Sequence, residues 1–297
     1  MEPPETLSMV QFLASFAILA YASFLDWRTR KVPNAFWIVL AVIAVALMCA
    51  RVLVDEAPLE YLLVLVPILV ILSDVYLDVE TEGTLAKVAP WLKYGIAIAS
   101  VVVLAYLWGD DTYFQRLLAV PVLMVIIVLM YMLDVIRGGA DAKALMSLAI
   151  MFPFYPSFAG MPFIVPAAEV ADLVFPFAFV VLVNAAIVVV FLPLAFLVKN
   201  LAAGEFQFPQ ALLGYRMDTN EAKGRFVWLM ERVEDGKHVT YTRPRRDEDL
   251  DAEIDLLIKE GHSRVWVTPK VPFIIPITIS LVFSVVVGNL IFLLMGL

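Results

Sequence analysis

Two aspartates stand where their type and setting could do chemistry. Asp26 lies in "SFLDWRTRKVPN", where an apolar run gives way to a basic loop. Asp141 lies in "RGGADAK", Arg137 to Lys143, behind Gly138 and Gly139 and ahead of another apolar run. Two carboxylates brought close together cannot both ionise easily, so one keeps a proton and the pair titrates as a unit. Such a pair can activate water against a peptide carbonyl: the ionised member takes the water's proton while the protonated member polarises the carbonyl oxygen. Gly138 and Gly139, without Cβ atoms, let the backbone come close to a neighbouring helix or an extended substrate strand. A plainer reading stands beside this one. Asp141 alone is an acid favoured by the dipole in the first turn of a helix, and Asp26 alone is an interfacial acid neutralised by Arg28 or Arg30. Charges that flank a span are common, and only those inside the membrane core are functional by default.

The elements that must position these residues are membrane helices. Of 297 residues, 62% are hydrophobic and 17% charged, and the mean hydropathy is +0.90, which marks an integral membrane protein. The fold class expected is an all-α polytopic helix bundle of about eight spans, each needing roughly 20 mainly apolar residues. They fall near Met9–Leu25, Phe36–Val54, Tyr61–Leu77, Trp91–Trp108, Phe114–Ile136, Asp141–Phe154, Ala171–Val198 and Val271–Met295. The first is read as a span and not as a cleaved signal, because the residues before it are acidic and further apolar runs follow. The sixth is short. The stretch after it, "FPFYPSFAGMPFIVP", holds prolines and aromatics that suit an interfacial loop.

Lysine and arginine set the expected orientation. Arg28, Arg30 and Lys31, then Lys87 and Lys93, then Arg137 and Lys143 fall on one side, while "VDEAPLE" and "GDDT" are acid-rich loops on the other. Both termini are therefore expected outside, with Asp26 and Asp141 at the cytoplasmic face. The charge-dense region 199–270 reads as a small cytoplasmic α+β domain, placed between a membrane bundle over 1–198 and a last span over 271–297. In it, "GRFVWLMERVEDGKHVTYT" reads as two strands joined at Asp235-Gly236, "DEDLDAEIDLLIKEG" as an amphipathic helix, and "SRVWVT" as a further strand. Its charges nearly cancel and no basic stripe is visible, so nucleic acid is not an expected partner. One cysteine, Cys49, and two histidines, His238 and His262, exclude an intramolecular disulfide and leave little from which to build a metal centre.

Taken together, "FLDWRTRKVPN" and "GGADAKALMSL" resemble the two signature blocks of the archaeal preflagellin and type IV prepilin peptidases, membrane aspartic proteases of the Gly-x-Gly-Asp type. The first family aspartate precedes a basic loop ending in Pro-Asn, here Asp26 before Pro33 and Asn34. The second closes the glycine motif, here Asp141 after Gly138, Gly139 and Ala140, with Lys143 continuing the pattern. "RVWVTPKVPFIIPITISLVFSVVVGNLI" resembles the C-terminal segment of archaeal members. The resemblance implies an Asp26/Asp141 dyad that removes the short basic leader of archaellin or type IV pilin-like precursors at the cytoplasmic membrane face. It implies no metal or organic cofactor. A basic leader would favour an acidic surface, which "DVETEG" offers in Asp78, Glu80 and Glu82.

Two departures matter. Ala140 replaces the glycine of the strict motif, and four expected spans separate the aspartates where the compact pattern has two, which implies an extra helical hairpin within Tyr61–Trp108. Other readings compete. A presenilin-like or signal-peptide-peptidase-like protease pairs its glycine-aspartate motif with Tyr-Asp and Pro-Ala-Leu, whereas here Leu25 precedes Asp26 and the late echo is Leu192-Pro193-Leu194. A proton-coupled transporter would carry its acids at mid-span and show an internal repeat. Asn184 and Asn289 read as interhelical hydrogen-bonding groups, and Asp74 as an acid within the third span whose partner the sequence does not name.

Overall fold

Away from water, a chain must satisfy its own backbone N–H and C=O groups, and a helix does so within one segment. The computed structural model describes residues 3–76, 84–136, 138–164, 171–234, 236–242 and 250–290, and the apolar runs within them are helical. Helix α1 is Pro3–Thr29 and α2 is Asn34–Val54. A 3-10 turn over Leu59–Val64 leads into α3, Leu65–Tyr76, followed by α4, Thr84–Trp108, α5, Thr112–Met132, and α6, Gly139–Met151. The short α7, Ala171–Val174, precedes α8, Phe177–Val190, and α9, Leu192–Ala202.

Among the described residues, six stretches are long and apolar enough to cross a membrane: Pro3–Thr29, Asn34–Val54, Leu59–Tyr76, Val88–Trp108, Thr112–Met132 and Phe177–Ala202. The sixth and last expected spans are shorter helices. Helix α6 and the final helix, Ile274–Val286, have 13 residues each, which gives about 20 Å of length against a hydrocarbon core of about 30 Å. Pro153 accounts for the end of α6, since the residue before a proline is pushed out of helical geometry. The burial of α6 accounts for its apolar sequence: every residue from Ala144 to Met151 is buried in protein. Its neighbours are α1, α2, α5 and the last helix.

The chain divides into two compact units, one comprising Met1–Ala186 with Pro272–Leu297 and the other Ile187–Val271. In the first, α2 turns Trp37, Leu40, Ala44, Met48 and Val52 inward at helical spacing, while Val39 and Val42 face out. Burying side chains of this size on one face is the main packing term available in the water-exposed parts, and close contact serves the same end in lipid. Helix α4 packs on α3 and leaves Trp91 and Tyr106 more than four-fifths exposed.

The second unit is α+β. After α10, Gln210–Leu213, strand β1, Tyr215–Asp218, is followed by α11, Thr219–Ala222, then β2, Val227–Leu229, β3, Glu231–Glu234, β4, Lys237–Thr240, α12, Leu250–Lys259, and β5, Arg264–Pro269; α13, Ile274–Val286, returns the chain to the first unit. Strands β1, β5 and β2 form one antiparallel sheet in that order, and β3 and β4 form a separate hairpin. The stretch read as two strands thus contains three. Met230 is the junction: its N–H donates to Trp266 O, and its own carbonyl accepts from Tyr241 N–H. The chain therefore leaves one sheet for the other there. Asp235 lies outside the described residues, and Gly236 beside it has φ +71°, the left-handed turn conformation that glycine adopts without strain. The amphipathic α12 buries Ile254 and Leu257 against Val227, Val265 and Val267.

Candidate functional site

Asp26 occupies the last turn of α1, and Asp141 the first turn of α6. The two helices are antiparallel neighbours. Gln11 Nε2 donates to Met151 O at 2.6 Å at one end of the pair, and Asp26 and Asp141 fall together at the other, within electrostatic range of each other. Arg30 is also within range of Asp26. It adopts φ +56° and its N–H donates to Asp26 O at 3.0 Å, so the chain turns sharply as α1 ends. Pro33, with φ −59° and ψ 141°, then caps the start of α2 at Asn34.

The glycine motif has a spatial reason that differs between its two glycines. A Cβ placed on Gly138 would stand 2.0 Å from Asp141 Oδ2, so the carboxylate fills the volume that a side chain at 138 would need. Gly138 also provides the first helical acceptor, its carbonyl receiving Ala142 N–H at 3.1 Å. A Cβ on Gly139 would meet Tyr131 Oη at 3.5 Å, an ordinary contact. Ala140, the departure from the strict motif, is partly buried and packs against the bundle core.

Lys143 joins the two halves of the motif. Its Nζ donates to Asn34 Oδ1 at 2.8 Å, across 109 residues of sequence, and lies 5.3 Å from the centroid of the Tyr76 ring. Pro33, Asn34, Gly138, Gly139, Ala140 and Lys143 therefore gather around the ends of the helices that carry the aspartates. Asp78, Glu80 and Glu82 lie outside the described residues, as does Arg137. Among the described residues, no group of three or more His, Cys, Asp or Glu side chains is placed to hold a metal ion.

Three features go beyond the sequence: the partners of Asp74, the partners of Asn184, which does act as the interhelical hydrogen-bonding group expected of it, and a polar cluster. Asp74 pairs with Lys93 of α4 and accepts from Tyr94 Oη at 2.6 Å. Asn184 of α8 donates to Ser284 Oγ at 2.8 Å and Gly288 O at 3.2 Å, tying α8 to the end of α13. The third is a polar cluster at the other end of α2: Asp55 accepts from Arg51 Nε at 2.6 Å and from Tyr113 Oη at 3.0 Å, and Asp111 accepts from Tyr61 Oη at 2.8 Å. That last bond, with the backbone N–H groups of Phe114 and Tyr113, holds the Asp111 carboxyl below the usual carboxylate range. The signal for the cluster is the repetition of an acid-rich loop followed by a tyrosine, in "DEAPLEY" and "DDTY".

The apolar helices and the α+β unit are those of a multi-pass membrane protein, and its similarity to known proteins is to membrane-peptidase families. Residues 207–290 match a family model described as Archaeal Peptidase A24 C-terminus Type II. The chain is 26% identical over 159 residues to a preflagellin peptidase of Methanococcus maripaludis, covering 51% of this chain and 64% of that one. It is 27% identical over 169 residues to a preflagellin peptidase of Methanocaldococcus jannaschii, covering 54% and 65%. With a preflagellin peptidase of Methanococcus voltae it shares 26% identity over 166 residues, covering 54% and 67%. The matched stretch thus spans about two-thirds of the length of these relatives. Together the family model and the three relatives support a likeness to the archaeal preflagellin peptidases.

Proposed function

We propose that this protein is a membrane aspartic endopeptidase that removes the short basic leader of archaellin or type IV pilin-like precursors, with Asp26 and Asp141 as the reacting pair. The observation that supports the reading is that Asp26 and Asp141, from distant parts of the sequence, lie at one end of the α1/α6 helix pair within electrostatic range of each other. In the reaction, the ionised carboxylate takes a proton from water as the water oxygen attacks the scissile carbonyl carbon. The protonated carboxyl donates its proton to the carbonyl oxygen. Collapse of the tetrahedral intermediate returns that proton, the leaving nitrogen takes the other, and the C–N bond breaks. Both aspartates sit at helix ends, which favours this chemistry over a transporter with mid-span acids.

The distribution of lysine and arginine supports a cytoplasmic placement of the aspartates and of residues 199–270. On this reading the precursor presents its basic leader at that face, with Asp78, Glu80 and Glu82 as the proposed receiving acids. The test is cleavage of a panel of archaellin and pilin precursors in membranes carrying the wild type, Asp26→Asn or Asp141→Asn, read as a mass shift. Cleavage by the wild type and by neither folded variant supports the pair. Normal cleavage by both variants, or none by the wild type, overturns the reading.

A further inference from the structure

We propose that Tyr76 is a positioning residue for the aspartate pair, acting through Lys143; the inference rests on the peptidase reading above. Lys143 is two residues beyond Asp141, and Asn34 is the first residue of α2, reached from Asp26 through one tight turn. The Lys143–Asn34 bond therefore ties the segment after one aspartate to the segment after the other. A lysine reaches its acceptor on a flexible four-carbon stem with several free torsions. Something must select the rotamer that points at Asn34.

Tyr76 is placed to do this. It is the last residue of α3, its ring lies 5.3 Å from Lys143 Nζ, and the ammonium is attracted to the ring's negative face. Its Oη is buried and lies beside Ser147 without a well-aligned hydrogen bond. Ser147 Oγ in turn donates to Lys143 O at 2.9 Å, one helical turn back. Tyr76 thus meets α6 at Lys143 and one turn further on at Ser147, while Asp74, half a turn earlier on α3, is fixed to α4 by Lys93 and Tyr94. Tyr76 belongs to the stretch that lengthens the spacing between the aspartates beyond the compact family pattern. On this inference the added helices α3 and α4 are not a neutral insertion: they orient the lysine that holds the two motif segments in register.

The test measures kcat and KM for one precursor, and the thermal midpoint, for the full-length protein in membranes or detergent. The variants are Tyr76→Phe, Tyr76→Leu, Tyr76→Met, Lys143→Met and Tyr76→Leu with Lys143→Met. Tyr76→Leu should lower kcat about three- to thirtyfold, the range of a partly desolvated cation–π contact, with KM unchanged. Tyr76→Phe, which keeps the ring face, should retain wild-type kcat, and the double variant should be no slower than Lys143→Met alone. Should Tyr76→Leu fail to fold, Tyr76→Met keeps the bulk without the ring and carries the same expectation. A wild-type kcat in the Leu or Met variant, an equal loss in the Phe variant, or additive losses with Lys143→Met overturns the inference while leaving the peptidase reading intact. A wild type that cleaves no precursor overturns both.

Discussion

Asp141 occupies the space that a side chain on Gly138 would need: its Oδ2 lies 2.0 Å from where a Cβ at 138 would stand. Gly138 has φ −97°, which any residue adopts, so the requirement for glycine there is one of volume and not of backbone freedom. Gly138→Ala should therefore fold, yet push the carboxylate off its position, and a misplacement of about 1 Å costs on the order of a hundredfold in rate. Gly139→Ala meets only an ordinary contact with Tyr131 Oη and should keep most of its activity. Precursor cleavage by the two variants, normalised to folded protein, checks the contrast; equal losses would show that both glycines serve the backbone.

The Lys143–Asn34 bond should behave as a coupled pair. At 2.8 Å this bond has good length, and because it is solvent-exposed its worth is about 0.5–1 kcal/mol. Asn34→Ala and Lys143→Met should each lower the thermal midpoint and the cleavage rate, and the double variant should lose little more than the worse single one. Strict additivity in both readouts would show that the two residues act independently.

The parts of this arrangement that were legible in the sequence are those set by local pattern. Asp26 and Asp141 could be placed at helix ends because apolar runs stop beside them, and basic residues put those ends on one side. The lengths of α6 and α13 were not legible, because hydropathy counts apolar residues without asking whether protein or lipid covers them. In α6 the cover is protein. Tyr76 was hidden for a related reason: a tyrosine ending an apolar run resembles an interfacial anchor, and only the fold brings Lys143 over its ring. The division of β2 from β3 at Met230 depends on pairing with β5, more than thirty residues on, which no alternation within "VWLMERV" reports.

Arg51 offers a control for stability without chemistry. It lies about 25 Å along α2 from Asn34, donates to Asp55 at 2.6 Å, and rests over the Phe154 ring at 5.4 Å. Both members of the ion pair are more than four-fifths buried. Arg51→Met should leave Asp55 with Tyr113 as its remaining side-chain hydrogen-bond donor and cost about 1–3 kcal/mol of stability. The kcat of the folded fraction should not change. A fall in kcat at an unaltered thermal midpoint would show that this end of the bundle communicates with the aspartates.

Gly288 tests the seam between the end of α13 and the loop after α6. Its φ is +109°, and a Cβ there would stand 2.3 Å from the backbone oxygen of Ile164, an atom that cannot rotate away. Around it, Phe163 N–H donates to Val286 O at 3.0 Å and Ile164 N–H to Val287 O at 2.8 Å, while Asn184 donates to Gly288 O. Gly288→Ala must strain the backbone and break part of this set, at a cost of about 2–4 kcal/mol. Gly95, in α4, has ordinary φ and nothing within 4 Å of its Cβ position, so Gly95→Ala should be neutral or slightly stabilising, as alanine favours a helix over glycine. Thermal unfolding of the two variants in the same detergent measures the difference; similar midpoints would mean that the loop moves away from α13 at little cost.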